Sequence, residues 1–215
     1  MIELPSWLAL LKEQLIRTDA IQWAVLILGI AQVLLARANN IWLYPTGIVA
    51  TSLAAFSLYS VELYAECLLQ LYYIVMSFYG MWFWMNKKNA PPVKISYTTS
   101  REWIITLCIV FGGWGVLAFV LMTFTDSTVP LWDAWISSTA WAGMWLLARR
   151  KIENWILLNV SNLFAIPLLF QKDLPLFSLL TIFLFIVACK GYVDWTRLFK
   201  KSLTDPTGEQ CVKAI

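Results

Sequence analysis

The chain has 215 residues, 60% of them hydrophobic and 13% charged, with a net charge of +3, four cysteines and no histidine. The apolar residues lie in long runs with few interior charges, which hydrocarbon accommodates and water does not, so a soluble domain is excluded. Without histidine, a Gly-x-Ser-x-Gly elbow or a phosphate loop, the usual nucleophile, metallohydrolase and nucleotidase sites are absent; no enzyme, cofactor or metal site is expected.

Seven membrane spans are predicted. The first, Ala20–Ala36, follows a mixed-charge segment with neither a basic n-region nor a small-residue cleavage site, so it reads as a retained helix and not a signal peptide. The second, Ile41–Tyr59, opens on Trp42-x-Tyr44-Pro45-Thr46-Gly47, with aromatics beside a helix-bending proline and a small residue. The third, Leu63–Trp84, carries Glu66, Gln70 and Tyr73 at steps of four and three, on one helical face. After the polar stretch Asn86–Ser100 comes the fourth, Trp103–Phe124, with no ionisable side chain between Ile104 and Thr125. The fifth is Val129–Ala148. The sixth, Trp155–Phe170, holds Asn159, Ser161 and Asn162, with 155, 159 and 162 again on one face. The seventh, Leu174–Trp195, contains Lys190, and residues 204–215 form a polar tail expected to be mobile. Cys67, Cys108, Cys189 and Cys211 have no metal-type spacing, and the three in or beside spans read as packing residues.

The chain also repeats itself. Leu34-Leu35-Ala36-Arg37 followed by Asn40-Ile41-Trp42 returns about 113 residues later as Leu146-Leu147-Ala148-Arg149 followed by Glu153-Asn154-Trp155, and each copy ends on Gly-x-x-x-Trp, Gly80 to Trp84 and Gly191 to Trp195. The copies cover residues 20–86 and 129–199. Three helices carry the chain across the membrane, so a directly fused second triple would be inverted; one linker helix, 101–125, restores the orientation. The expected fold is therefore an all-α integral membrane protein, a single domain of seven transmembrane helices in a 3+1+3 arrangement of two parallel three-helix repeats.

Excluding Lys190, the basic residues divide three (Lys12, Arg17, Lys172) against twelve between the two sides, the crowded side including Lys87, Lys88, Arg149, Arg150, Lys151, Lys200 and Lys201. The positive-inside rule puts the crowded side in the cytoplasm, with the N-terminus outside and the C-terminus inside. Charge sorted between loops in this way is no nucleic-acid signal.

Polar side chains inside a bilayer face a partner or a wet cavity. Trp155 above Asn159 and Asn162 would stack a flat ring and hydrogen-bond its substituents; the other reading is interhelical amide bridging. Gln70 and Tyr73 are ligand candidates from the first half. Glu66 is read either as a solvated surface group or as a vestibule charge that attracts a cation. Trp42 and Trp155 are taken as repeat counterparts that converge on the pseudo-axis, whereas most other tryptophans read as an interfacial belt. Lys190 in the last span raises a retinal Schiff-base alternative. That chemistry needs a buried carboxylate, and position 186, one turn earlier, is isoleucine, so Lys190 reads as a snorkelling residue.

Taken in order, Asn40-Ile41-Trp42-x-x-Pro45-x-Gly47-Ile48, Leu63-Tyr64-Ala65-Glu66 with Gln70, Tyr79-Gly80-x-x-x-Trp84, Arg149-x-Lys151-x-Glu153-Asn154-Trp155 and Gly191-x-x-x-Trp195 resemble the PnuC family, bacterial inner-membrane transporters of nicotinamide riboside. The resemblance covers nearly the whole chain after its N-terminal segment. It implies two three-helix bundles around a linker helix, similar to the SWEET facilitators, and uptake of a small cationic aromatic vitamin with trapping by a separate cytoplasmic kinase. Carried over by position, it implies substrate contacts from Trp42, Gln70, Tyr73, Trp155, Asn159 and Asn162. Relatives often carry a second aromatic three residues after the sixth-span tryptophan, where this chain has Leu158. Thiamine, another flat monocation, or another vitamin or nucleoside is the alternative substrate on the same scaffold. Lipid is the expected surrounding, and small residues such as Gly29 and Gly143 suit packing within a protomer or between protomers.

Overall fold

The computed structural model describes residues 6–60, 64–85, 95–125 and 128–204, except for the side chains of residues 6, 58, 60, 64–69 and 204. The side-chain reading of Glu66 and the expectation of a mobile tail at 205–215 therefore lie outside the described residues. Among those described, the chain forms eight helices: α1 Ser6–Arg17, α2 Ala20–Arg37, α3 Leu43–Ser60, α4 Tyr64–Met85, α5 Ser100–Phe124, α6 Pro130–Ala148, α7 Asn154–Gln171 and α8 Pro175–Thr204. By length and composition α2, α5, α7 and α8 are apolar enough to cross a membrane.

Helix ends follow local chemistry. Asp19 caps α2 by accepting from the Gln22 amide at 2.7 Å, and Thr99 and Glu102 form a reciprocal capping box at the start of α5. Pro45 falls in the first turn of α3, where its missing N–H breaks no intrahelical bond, so it starts the helix and does not bend it. Within α5, Cys108–Gly112 widen into a π turn.

α2, α3 and α4 pack in sequence, and so do α6, α7 and α8. The two triples meet through α2 against α8 and α4 against α6. α5 packs on α6 and so rides on the second triple. α1, which the sequence reading treated as a mere leading segment, packs on α8. There the Gln14 side chain donates to the Asp173 carbonyl (2.7 Å) and accepts from the Leu176 amide (3.1 Å).

The internal repeat is present in the backbone, at an offset of 111 residues. Asn39 and Arg150 both take φ of 55°. The Asn40 and Lys151 amides reach back five residues to the Leu35 and Leu146 carbonyls, each at 2.9 Å, closing the same left-handed helix end. This register pairs Tyr44 with Trp155 and Trp42 with Glu153, which corrects the expectation that Trp42 is the counterpart of Trp155. Matching letters favoured a longer offset; packing pairs residues that fill the same space.

That space is defined by glycine. A Cβ on Gly80 would lie within 2.7 Å of Tyr44 ring and hydroxyl atoms, and one on Gly191 within 2.8 Å of the Trp155 indole. Each aromatic then meets the tryptophan of its own Gly-x-x-x-Trp edge-on. The centroids of Tyr44 and Trp84 are 5.1 Å apart and those of Trp155 and Trp195 5.6 Å, both pairs at 89°.

Both tryptophans reach into the other triple. Trp84 Nε1 donates to the Ala148 carbonyl (3.0 Å), and Trp195 Nε1 to those of Ala36 (3.1 Å) and Arg37 (3.2 Å). Leu-Leu-Ala-Arg therefore ends each triple with carbonyls for the partner's indole. Arg37 adds an ion pair to Asp194 at 2.6 Å, and Arg150 lies 3.5 Å from the Trp84 ring centre. Ala36, Trp84 and Trp195 share a buried cluster with Leu43, Leu147 and Ile152 that ties the triples together at one end.

At that same end a strap crosses the second triple. Ser96 exchanges backbone bonds with Arg150 (3.2 Å) and Ile152 (3.1 Å). The Thr98 amide and hydroxyl donate to Glu153, and Lys151 pairs with Glu102 at 2.9 Å. No hydrogen bond of this strap reaches the matching turn of the first triple, Asn39–Ile41, among the described residues.

Candidate functional site: a cavity between the two helix triples

Two cavities are present among the described residues that bear on function. The first, about 310 Å³, lies between the triples, bounded by α2, α3 and α4 on one side and α6 and α7 on the other. Gln32, Thr51, Gln70 and Tyr73 supply its polar groups, while Ala140, Met144 and Leu158 face them from the second triple. Its volume falls within the range of small-molecule sites. Thr51 satisfies its own hydroxyl by donating to the Gly47 carbonyl at 2.7 Å. The side chains of Gln32, Gln70 and Tyr73 make no hydrogen bond to another described residue. Amides and phenols in such a setting require water or a ligand.

The second cavity, about 360 Å³, lies between α7 and α8 and so within one triple. Trp155, Asn159, Cys189 and Tyr192 line it with aliphatic neighbours. Asn159 donates to Cys189 Sγ at 3.3 Å, and its Oδ1 is buried without a partner, as is the Trp155 indole nitrogen.

The expected site residues thus separate. Gln70 and Tyr73 meet at the central cavity; Trp155 and Asn159 lie on the other side of α7. Asn162, the counterpart of Thr51 and one turn beyond Leu158, is half-buried without a hydrogen bond to a described residue. Trp42 is 59% exposed and points away from the core, since the left-handed turn before α3 delivers Leu43 and Tyr44 inward instead. Helical spacing places 155, 159 and 162 near one face but does not say which neighbour that face meets. Gln32 was missed. Its signal was an amide in the middle of an otherwise apolar helix, recognisable once α2 is paired with α3.

Leu158 forms part of the central cavity wall. Lys190 is exposed, which fits a snorkelling lysine. Cys108 and Cys189 are free thiols, both exposed and not the packing residues expected.

Residues 19–197 match the family described as nicotinamide mononucleotide transporter. Among characterised proteins, the chain is 24% identical over 196 residues to the nicotinamide riboside transporter PnuC of Escherichia coli (strain K12), covering 79% of this chain and 82% of that one. It is 26% identical over 187 residues to the nicotinamide riboside transporter PnuC of Neisseria mucosa, covering 80% and 70%. The crystal structure of the vitamin B3 transporter PnuC has the same fold, with a TM-score of 0.68 at 24% identity over 91% of this chain and 88% of that one. Together with its apolar helices this makes the protein a multi-pass membrane protein. The chain belongs to the nicotinamide mononucleotide transporter family.

Proposed function

We propose that the protein takes up nicotinamide riboside across a bacterial inner membrane by facilitated diffusion. The observation that carries this reading is the cavity between the two triples, where the Gln70 and Tyr73 side chains stand without a hydrogen-bond partner among the described residues. A site between two similar bodies is where alternating access requires it. In this reading α2–α4 and α6–α8 are two parallel bundles, α5 is the linker crossing, and the seven crossings leave the N-terminus outside and the C-terminus in the cytoplasm. The crowded basic loops support that orientation.

Gln70 hydrogen-bonds a polar substituent of the substrate, and Tyr73 offers its ring to the pyridinium and its hydroxyl to the ribose. Trp155 and Asn159 act one layer out, holding α7 against α8. No coupled ion is needed. A monovalent cation gains roughly 2.3 kcal/mol per 100 mV of inside-negative potential, or about fifty-fold accumulation, and phosphorylation by a separate cytoplasmic kinase traps it further.

The test is calorimetric titration of the purified protein with nicotinamide riboside and with thiamine. The expected result is saturable binding of nicotinamide riboside, weakened about tenfold in Gln70→Ala because one hydrogen bond is lost and its partner left unpaired. Trp42→Ala should bind as the parent does. Thiamine bound in preference would replace the substrate, and an unchanged Gln70→Ala would remove that residue from the site.

A further inference from the structure

The central cavity has unlike walls, although the triples that form it are related. The difference arises at one pair of positions. In the first triple Gln32 on α2 rests against Gly47 on α3, where a Cβ would lie 2.5 Å from the amide nitrogen and 2.9 Å from the amide carbon. In the second triple the equivalent contact, 111 residues on, is reversed in sense. There Gly143 on α6 supplies the notch and Leu158 on α7 fills it, with Cδ2 2.9 Å from a Cβ built on the glycine. The same notch therefore presents a primary amide from one side of the cavity and a branched aliphatic from the other. With Gln70 also on the amide side and Met144 on the aliphatic side, the cavity has one hydrogen-bonding wall and one apolar wall.

We propose that Gln32 is a specificity-determining residue of this transporter, reading a carboxamide on the substrate from the polar wall while the substrate's ring lies toward Met144 and Leu158. The inference rests on the transport reading given above. Its physical basis is threefold. The glycine notch restricts the Gln32 amide to a seat on the cavity wall, so little rotamer entropy is lost when it binds. A glutamine amide offers a donor and an acceptor from one plane, and a primary carboxamide answers both at once. A site with such a group rejects an analogue lacking its partner, because its own polar group is then left unpaired. The apolar wall cannot discriminate in that way; thioether and aliphatic groups accept any flat ring.

Binding of nicotinamide riboside and of ribosylpyridinium, the same cation without its carboxamide, is measured by calorimetry on the parent protein, on Gln32→Leu and on Gly47→Ala, with thermal melting to show that each variant is folded. The parent should bind nicotinamide riboside about tenfold more tightly than ribosylpyridinium. Gln32→Leu should lose that preference, binding nicotinamide riboside more weakly than the parent does and ribosylpyridinium no more weakly. Gly47→Ala displaces the amide without deleting it and should reduce the preference several-fold. Discrimination retained in Gln32→Leu overturns the proposal while leaving the transport reading in place. A parent that binds nicotinamide riboside in neither assay buffer nor liposomes overturns both.

Discussion

Gly80 and Gly191 show how a single missing Cβ sets the arrangement of much larger groups. Each removes the one atom that would collide with an aromatic ring, Tyr44 in one case and Trp155 in the other, and those rings in turn set the positions of Trp84 and Trp195. Gly80→Ala and Gly191→Ala should each destabilise the protein by about 1–3 kcal/mol through overpacking against rings that have little room to move. Gly29→Ala is the control. Nothing lies within 4 Å of a Cβ there, and a helical alanine is preferred to glycine by about 1 kcal/mol, so its melting temperature in detergent should stay level or rise. Gln70 and Tyr73 were legible in the sequence because a step of three on a helix must put both on one side. Trp42 was not legible. Its tryptophan matches that of position 155 by letter, whereas the folded chain pairs position 155 with Tyr44 and leaves Trp42 exposed.

At the level of elements, the helix boundaries follow the apolar runs closely because bilayer-length segments have few alternatives to a helix. α2, α3, α4, α6 and α7 each fall within a few residues of the spans read from sequence. α8 runs on to Thr204, nine residues beyond Trp195, since its charged last turns remain helical on leaving the apolar region. α1 was missed because 12 residues of mixed polarity give little signal apart from the surface they pack on. The indole bonds between triples could not have been read either; they join residues whose only sequence relation is the repeat itself. Their contribution is measurable. Trp84→Phe and Trp195→Phe keep a six-membered ring but remove the pyrrole half with its N–H donor, leaving a small void and the buried end carbonyls of α6 and α2 without that donor. Each should lower stability in detergent by about 1–3 kcal/mol. Because both tryptophans belong to one buried cluster that joins the triples, the double variant should depart from the sum of the two single effects. No loss in either variant would show that these bonds do not hold the triples together.

Across the whole molecule, the buried indole bonds and the ion pair between the triples lie at one end, while Tyr72 on α4 donates to the Trp141 carbonyl of α6 (3.2 Å) farther along. Trp84, Trp195 and the Arg37–Asp194 pair all lie at that one end, whereas the cavity sits farther along α2, α3 and α7. α5 and the strap attach to the second triple, so the two bodies proposed to rock are α2–α4 on one side and α5–α8 on the other. In the proposed orientation the end with the indole bonds is the cytoplasmic one, so inward release by the proposed alternating access would part both of them. The measurement that tests the transport reading most directly is uptake of labelled nicotinamide riboside into proteoliposomes holding an imposed inside-negative potential, with no sodium or proton gradient. Saturable uptake, accumulating toward about fifty-fold per 100 mV, is the predicted result. Uptake no greater than in protein-free liposomes, or uptake that appears only with an ion gradient, would contradict it.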